Sequence, residues 1–181
     1  MKIGFCGTMS TGKTTLVNAL AKLPEFKDYK FRTERSKYLM EMGIPLNTDS
    51  TVKGQAVFLA ERASELLQEN IITDRTIIDV MAFAKCSTTM LPWEKEDFEE
   101  FASHMVDEYD VLFYITPEGV NIENNGVRET DATYRDEIDT TILSLLTKHH
   151  HKIKKLYKID GMSVEERVDF VMKHIPSNIY K

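Results

Sequence analysis

The chain has 181 residues, of which 42% are hydrophobic and 29% are charged, and its net charge at pH 7 is −6. This length and composition predict one globular domain, and the acidic balance argues against broad nucleic-acid binding through a basic surface. No apolar run reaches the roughly 18 residues that a membrane helix needs, and no signal peptide precedes the first apolar segment, so we expect a cytoplasmic protein without membrane contact. The two cysteines, Cys6 and Cys86, lack metal-ligand spacing and indicate reduced thiols.

Apolar runs alternate with amphipathic stretches along the chain, a pattern typical of a parallel sheet covered by helices. We predict strands at Lys2–Cys6, Tyr29–Thr33, Asn70–Thr73, Val111–Thr116 and Leu156–Ile159. We predict helices at Lys13–Leu23, Glu34–Met42, Thr51–Gln68, Thr76–Lys85, Pro92–Val106, Tyr134–His149 and Ser163–Ile175. Ser163 and Glu166 have the spacing of a capping box at the start of the last helix.

A nucleotide-binding loop follows the first predicted strand. The segment Gly7–Thr14 reads GTMSTGKT and fits G-x-x-x-x-G-K-[ST] at every fixed position. In this motif backbone N–H groups surround a phosphate, Lys13 reaches the β- and γ-phosphates, and the Thr14 hydroxyl ligates Mg²⁺. The residues expected to bind ATP here are Gly7, Thr8, Met9, Ser10, Thr11, Gly12, Lys13, Thr14 and Thr15. The pattern predicts an α/β, three-layer P-loop NTPase fold in one domain, residues 1–181, with helices on both faces of a five-stranded parallel sheet.

Two polar residues follow the third predicted strand, where ligands bind in parallel α/β sheets. Asp74 has the position of an acidic Walker B residue, and such a carboxylate holds Mg²⁺ directly or through water. Alternatively, it is the N-cap of the helix that begins near Thr76. Arg75 is a candidate for binding an anionic acceptor or the transferred phosphoryl group, because guanidinium groups bind phosphate in a bidentate manner. Alternatively, Arg75 is an exposed cation that pairs with Asp79.

Glu34 and Arg35 follow the second predicted strand and are candidates for acceptor binding. A carboxylate at Glu34 can take a proton from an acceptor hydroxyl or bind a sugar hydroxyl. It can equally be a first-turn acid that the helix dipole favours, and the residues alone leave both interpretations open. Arg35 is a weaker candidate, as a cation beside an anionic substrate.

The long polar segment between the fourth strand and the following helix is predicted to be a lid, at about residues 117–135. If its second half is helical, Arg128, Asp131 and Arg135 share one face. Two arginines at the mouth of a phosphate site would neutralise the charge that develops in phosphoryl transfer, with Asp131 orienting Arg135. The alternative is an ion pair on a solvent-exposed helix.

A histidine run, the single tryptophan and an acidic run are interpreted as structural features. The run His149–His151 lies where a helix is predicted to end, and histidine there complements the helix dipole. Trp93, directly after Pro92, is interpreted as a packing residue at a helix start; alternatively, it lines an acceptor pocket. The acidic run Glu94–Glu100 is interpreted as a solvent-exposed helix face.

Motif absences narrow the class of P-loop protein. A GTPase would carry an N-K-x-D motif and a D-x-x-G switch after the third strand, and neither occurs. The chain is also short for a ring-forming ATPase module. It resembles instead the small P-loop kinases related to the ribosylnicotinamide kinase domain of bacterial bifunctional NAD-synthesis proteins. The resemblance rests on Gly7–Thr14, on Thr33–Arg35 with Gly43–Pro45, on Thr73–Arg75, on Gly126–Arg128 with Asp131, Tyr134 and Arg135, and on Ile159–Gly161 with Ser163, Glu165, Glu166 and Arg167.

This resemblance implies ATP- and Mg²⁺-dependent phosphorylation of a nucleoside, nicotinamide riboside or a nucleoside monophosphate. It implies that Glu34 contacts the acceptor, that Asp74 serves Mg²⁺ or the acceptor hydroxyl, and that Arg128 and Arg135 close over the phosphates. Asp160 and Gly161 would lie against adenine.

The chain departs from the pattern of this kinase family at Lys37, where the family leads us to expect arginine. This departure weakens the identification of the acceptor. Two other functions remain open alternatives: a kinase acting on a DNA or RNA end or a hydroxymethylated base, and a non-catalytic nucleotide-binding module. A homodimer is an expectation at the level of the family only.

Overall fold

A computed structural model describes residues 1–32, 36–117 and 132–175 of the chain. Its centre is a five-stranded sheet in the order β2-β3-β1-β4-β5, and every neighbouring pair is parallel. The strands are β1 (Lys2–Cys6), β2 (Lys30–Arg32), β3 (Ile71–Asp74), β4 (Val111–Ile115) and β5 (Leu156–Ile159). The predicted five-stranded parallel sheet is therefore confirmed, with strand ends within two residues of those expected.

Helices connect the strands. They are α1 (Lys13–Leu20), α2 (Ser36–Glu41), α3 (Val52–Leu66), α4 (Ile77–Lys85), α5 (Pro92–Ser103), α6 (Ala132–Lys148) and α7 (Val164–His174). Short 3₁₀ helices lie at Pro24–Phe26, Val106–Glu108 and His150–Lys152. None of the described helices is both long and apolar enough to cross a bilayer.

Alternation along the central strands explains the three layers. On β4, Val111, Phe113 and Ile115 belong to one hydrophobic cluster, whereas Leu112 and Tyr114 belong to another. Successive side chains of a strand point to opposite faces of the sheet, so each central strand contributes to two cores. The first core includes residues of α1 and α7, and the second includes residues of α3, α4, α5 and α6. Helices therefore cover both faces, as the sequence predicts.

Local chemistry explains several helix ends. The Ser163 side chain accepts a hydrogen bond from the Glu166 N–H and completes the predicted capping box of α7. Gly43, with φ of 75°, follows α2 in the left-handed conformation that glycine adopts readily. The first helix is shorter than expected, since α1 ends at Leu20 and a separate 3₁₀ turn begins at Pro24. Proline lacks the N–H that a continued helix would need.

Two structural interpretations need correction. Trp93 is 59% exposed and does not pack into the core at the start of α5. The acidic run is not wholly solvent-exposed, because the Glu99 side chain is buried and binds Lys85, Lys148 and His149 at 2.6, 2.7 and 2.9 Å. Periodicity within one helix could not reveal this cluster, since its partners come from the ends of two other helices.

The Glu99 cluster predicts a pH-dependent contribution to stability. Burial alone would raise the pKa of Glu99, but hydrogen bonds from Lys148, Lys85 and His149 outweigh it and hold the pKa at about 2, below the ordinary 4.5. A carboxyl group with a lowered pKa stabilises the folded state above about pH 4.5, and this contribution falls as the pH drops towards 2.

We therefore expect Glu99→Gln to lower the free energy of unfolding at pH 7 by roughly 1–3 kcal/mol. The difference from the unsubstituted protein should shrink between pH 5 and pH 3, because protonation removes the advantage of the carboxylate. Urea unfolding of both proteins across this pH range measures the difference. A difference that stays constant with pH would contradict the assignment.

Candidate functional site

The phosphate loop connects β1 to α1 and depends on two glycines. Gly7 has φ of 149°, and a Cβ atom there would lie 2.5 Å from the Ile115 carbonyl oxygen on β4. Gly12 has φ of 82° and forms the left-handed N-cap of α1. Residues with side chains are strained or excluded at both positions. The glycines of the motif thus have a local physical cause, and the loop leads into the N-terminus of α1 as the sequence predicts.

The Lys13 ammonium group lies inside this loop. Its Nζ atom donates hydrogen bonds to the carbonyl oxygens of Gly7 and Thr8, at 2.8 and 2.6 Å, and to Thr11 Oγ1 at 3.2 Å. The side chain is 5% exposed. The positive charge is therefore held among the residues whose N–H groups form an anion-binding concavity.

Thr14 and Asp74 meet at the carboxyl ends of β1 and β3. The Thr14 hydroxyl donates a hydrogen bond to Asp74 Oδ2. Two hard oxygen donors are thereby placed side by side next to the phosphate loop, which suits the oxygen ligands that Mg²⁺ prefers. The alternative interpretation of Asp74 as a helix N-cap is wrong, because Thr76 is the N-cap of α4 and Asp79 completes its capping box.

Arg75 is buried beside this pair. It is 7% exposed, and its guanidinium carbon lies 4.7 Å from the centre of the Phe83 ring on α4. Its φ of 78° is in the left-handed region, and its N–H donates to the Phe5 carbonyl oxygen at 3.0 Å. The interpretation of Arg75 as an exposed cation paired with Asp79 is therefore wrong. A non-glycine residue in this conformation is strained, and such strain is concentrated at functional sites.

Arg135, near the start of α6, reaches the loop from the other side. Its carbonyl oxygen accepts a hydrogen bond from Thr8 Oγ1 at 3.0 Å, and its Nη2 atom donates to the Pro117 carbonyl oxygen at 2.8 Å. One turn along α6, the Tyr114 hydroxyl donates its hydrogen bond to the Asp139 carboxylate, whose two oxygens lie 2.9 and 3.0 Å from the hydroxyl oxygen. Burial raises the pKa of Asp139. These contacts fix the first turns of α6 against β4 and the phosphate loop.

Arg167 on α7 belongs to the sequence resemblance without an assigned role, and its contacts in the structure indicate one. Its Nη1 atom donates to the Thr11 carbonyl oxygen at 2.6 Å, and its Nε atom donates to the Met162 carbonyl oxygen at 3.0 Å. Burial lowers the pKa of this guanidinium group. Arg167 therefore connects the phosphate loop to the segment after β5. Asp160 and Gly161 begin that segment, and Gly161 has a left-handed φ of 48°.

The structure brings Lys13, Thr14, Asp74, Arg75 and Arg135 to one edge of the sheet. Thr15 is exposed on the first turn of α1. Four predicted site residues, Glu34, Arg35, Arg128 and Asp131, lie outside the described residues, as does most of the predicted lid, and their roles stay predictions.

Comparisons with known proteins agree on the fold. A profile of the AAA domain family matches residues 2–167. A search of curated proteins found no match. Among solved structures, deoxyadenosine kinase from M. mycoides with bound dCTP is 17% identical, with a TM-score of 0.67 and coverage of 96% of this chain and 97% of that chain.

Two further structures share the fold. The NadR protein in complex with NR is 20% identical, with a TM-score of 0.74 over 96% of this chain and 51% of that chain. Thymidylate kinase from Candida albicans is 15% identical, with a TM-score of 0.66 over 95% of this chain and 89% of that chain. The predicted P-loop NTPase fold is confirmed.

Proposed function

The chain belongs to the AAA domain family, and we propose that within this family it is an ATP-dependent phosphotransferase. Its acceptor is a nucleoside, nicotinamide riboside or a nucleoside monophosphate. One observation carries the proposal: Thr14 and Asp74 are hydrogen-bonded beside a phosphate loop that encloses Lys13. Two of the structural neighbours are a deoxyadenosine kinase and a thymidylate kinase, which supports the proposal, and so does the resemblance found in the sequence.

The reaction is in-line transfer of the γ-phosphoryl group. A bond forms between the acceptor oxygen and the γ-phosphorus as the bond from that phosphorus to the β–γ bridging oxygen breaks, and ADP leaves. Backbone N–H groups of Gly7–Thr14 and the Lys13 ammonium hold the donor phosphates. Asp74 or Glu34 orients the attacking hydroxyl and takes its proton. Asp160 and Gly161 lie against adenine.

Thr14 and Asp74 are the residues that would hold Mg²⁺, since both present oxygen atoms at the same point. When bound, the ion neutralises negative charge on the β- and γ-phosphates. The backbone of Asp74 is held in place independently of any ion, because its main-chain carbonyl oxygen accepts a hydrogen bond from Arg62 Nη1 at 3.0 Å.

Arg75, Arg128 and Arg135 supply positive charge at the acceptor side and from the lid. Developing charge on the transferred group is stabilised most by donors that are already in place in a site that excludes water. Arg135 meets this condition in part, because it is 8% exposed and its guanidinium group donates to the Pro117 carbonyl oxygen. Its main-chain carbonyl oxygen accepts from Thr8 of the phosphate loop.

We expect Arg135→Ala to lower kcat by about tenfold or more and to change the KM for ATP less, because the guanidinium group acts mainly on charge that develops during transfer. The kcat of Arg135→Lys should lie between those of Arg135→Ala and the unsubstituted protein, since lysine keeps the charge but lacks the planar guanidinium group. Steady-state kinetics with varied ATP separate kcat from KM. An unchanged kcat in Arg135→Ala would return this residue to a structural role.

Acceptor-stimulated turnover tests the proposed function. ADP production is measured with ATP and Mg²⁺, alone and with each candidate acceptor, because a kinase needs its acceptor for fast turnover. Stimulation by a nucleoside, nicotinamide riboside or a nucleoside monophosphate supports the proposal. Equal hydrolysis with and without every acceptor would contradict it and favour an ATPase. Tight ATP binding without turnover would favour a regulatory module.

A further inference from the structure

The carboxylate of Asp79, on the first turn of α4, joins two parts of the site. The side chain is fully buried. Its Oδ1 atom accepts a hydrogen bond from the Gly7 N–H at 3.1 Å. Its Oδ2 atom accepts from the N–H and the hydroxyl of Thr76, at 2.7 and 2.8 Å. The sequence pattern indicates Asp79 only as a partner for Arg75.

These three hydrogen bonds join the donor side of the site to the acceptor side. Gly7 is the first residue of the phosphate loop. Thr76 directly follows Asp74 and the left-handed Arg75. The turn that carries the proposed Mg²⁺ and acceptor residues is therefore tied to the loop that carries the donor phosphates. A second tie is the hydrogen bond from the Arg75 N–H to the carbonyl oxygen of Phe5.

Helix capping explains only half of this arrangement. The capping box of α4 requires the contacts between Asp79 and Thr76. It does not require the contact between Asp79 and Gly7, which are 72 residues apart. Three donors converge on one buried side chain, and only a carboxylate offers two acceptor oxygens without a competing N–H group.

We propose that Asp79 is a positioning residue, which fixes the Asp74–Arg75 turn against the phosphate loop. Thr14 and Asp74 thereby keep fixed positions relative to the donor phosphates. This inference rests on the proposed function. It assigns Asp79 no contact with substrate, and its effect passes through Gly7 and Thr76.

Two substitutions separate positioning from capping. Asp79→Asn leaves an N–H group facing donors of Gly7 or Thr76. Asp79→Glu keeps the charge and supplies the residue most typical of this capping-box position, but its carboxylate is one methylene further from the backbone. A role in capping alone predicts that Asp79→Glu keeps kcat and the Mg²⁺-dependent gain in ATP affinity, although the extra methylene in a fully buried position costs thermal stability. A positioning role predicts that both variants, while folded, lose kcat and this Mg²⁺-dependent gain.

Glu99→Gln is the matched control. Glu99 is likewise a buried carboxylate with three donors. His149, one of its partners, follows α6 at a point about 20 Å along the helix axis from Arg135. This variant should lose thermal stability but keep kcat within twofold of the unsubstituted protein.

The experiment measures kcat and, separately, the Kd of a fluorescent ATP analogue with and without Mg²⁺. We expect both Asp79 variants to lose at least tenfold in kcat, and the Mg²⁺-dependent gain in affinity to fall at least fivefold. If Asp79→Asn does not fold, Asp79→Glu decides the question. Folded Asp79 variants that keep both the kcat and the Mg²⁺ gain of the unsubstituted protein would overturn the inference. Binding without phosphoryl transfer in the unsubstituted protein would refute the proposed function instead, and the Mg²⁺ comparison would still test Asp79.

Discussion

Lys13→Ala should lower phosphoryl transfer by on the order of a hundredfold or more, with the fold retained. The Lys13 ammonium is held by three hydrogen bonds within the loop, two of them to the carbonyl oxygens of Gly7 and Thr8. A charge fixed in a buried position needs little reorganisation when negative charge shifts from the γ-phosphate to the bridging oxygen. Its removal therefore raises the barrier for transfer more than it weakens ATP binding.

Steady-state kinetics and a thermal melt check the Lys13 prediction together. Lys22→Ala is a suitable control, because Lys22 is exposed just beyond α1 and lies outside the loop. The control should match the unsubstituted protein in kcat. Near-normal transfer by folded Lys13→Ala would remove this residue from the proposed mechanism.

Asp74→Asn should lower kcat by roughly a hundredfold at millimolar Mg²⁺ and raise the Mg²⁺ concentration needed for half-maximal rate. Asparagine preserves the shape of the side chain but removes the negative charge. It leaves the Thr14 hydroxyl beside a weaker ligand for Mg²⁺. Residue 74 is only 1% exposed. The loss of kcat should be smaller at high Mg²⁺ concentration, because mass action partly restores occupancy of the Mg²⁺ site.

The Asp74 prediction is measured by kcat at several Mg²⁺ concentrations. Asp28→Asn serves as a control for lost charge at an exposed position. A rate that is low but has the Mg²⁺ dependence of the unsubstituted protein would show that Asp74 acts on the acceptor hydroxyl only. An unchanged rate would contradict both roles.

Features that depend on neighbouring residues were predictable from the sequence. The pattern of Gly7–Thr14 predicted a loop between a strand and a helix, and the structure has this loop between β1 and α1. The spacing of Ser163 and Glu166 predicted the cap of α7. Alternating apolar runs predicted the parallel sheet, because strands buried on both faces read as short apolar segments.

Contacts between distant segments were not predictable in the same way. Arg167 reaches Thr11 across 156 residues of sequence, and Asp79 reaches Gly7 across 72. Both contacts depend on how helices pack on the sheet, and no local pattern encodes that packing. Glu99 shows the same limit. A run of acidic residues predicts a solvent-exposed helix face, and the partners that bury Glu99 come from the ends of other helices.

Transfer of label from radiolabelled ATP tests the central claim most directly. The protein is incubated with γ-labelled ATP and Mg²⁺ and offered nicotinamide riboside, ribo- and deoxynucleosides, their monophosphates, and DNA ends with normal and hydroxymethylated bases. We predict covalent label on one of the small molecules, with Lys13→Ala as the inactive control. Label on DNA alone, or on no acceptor while ATP still binds, would contradict the proposed small-molecule kinase.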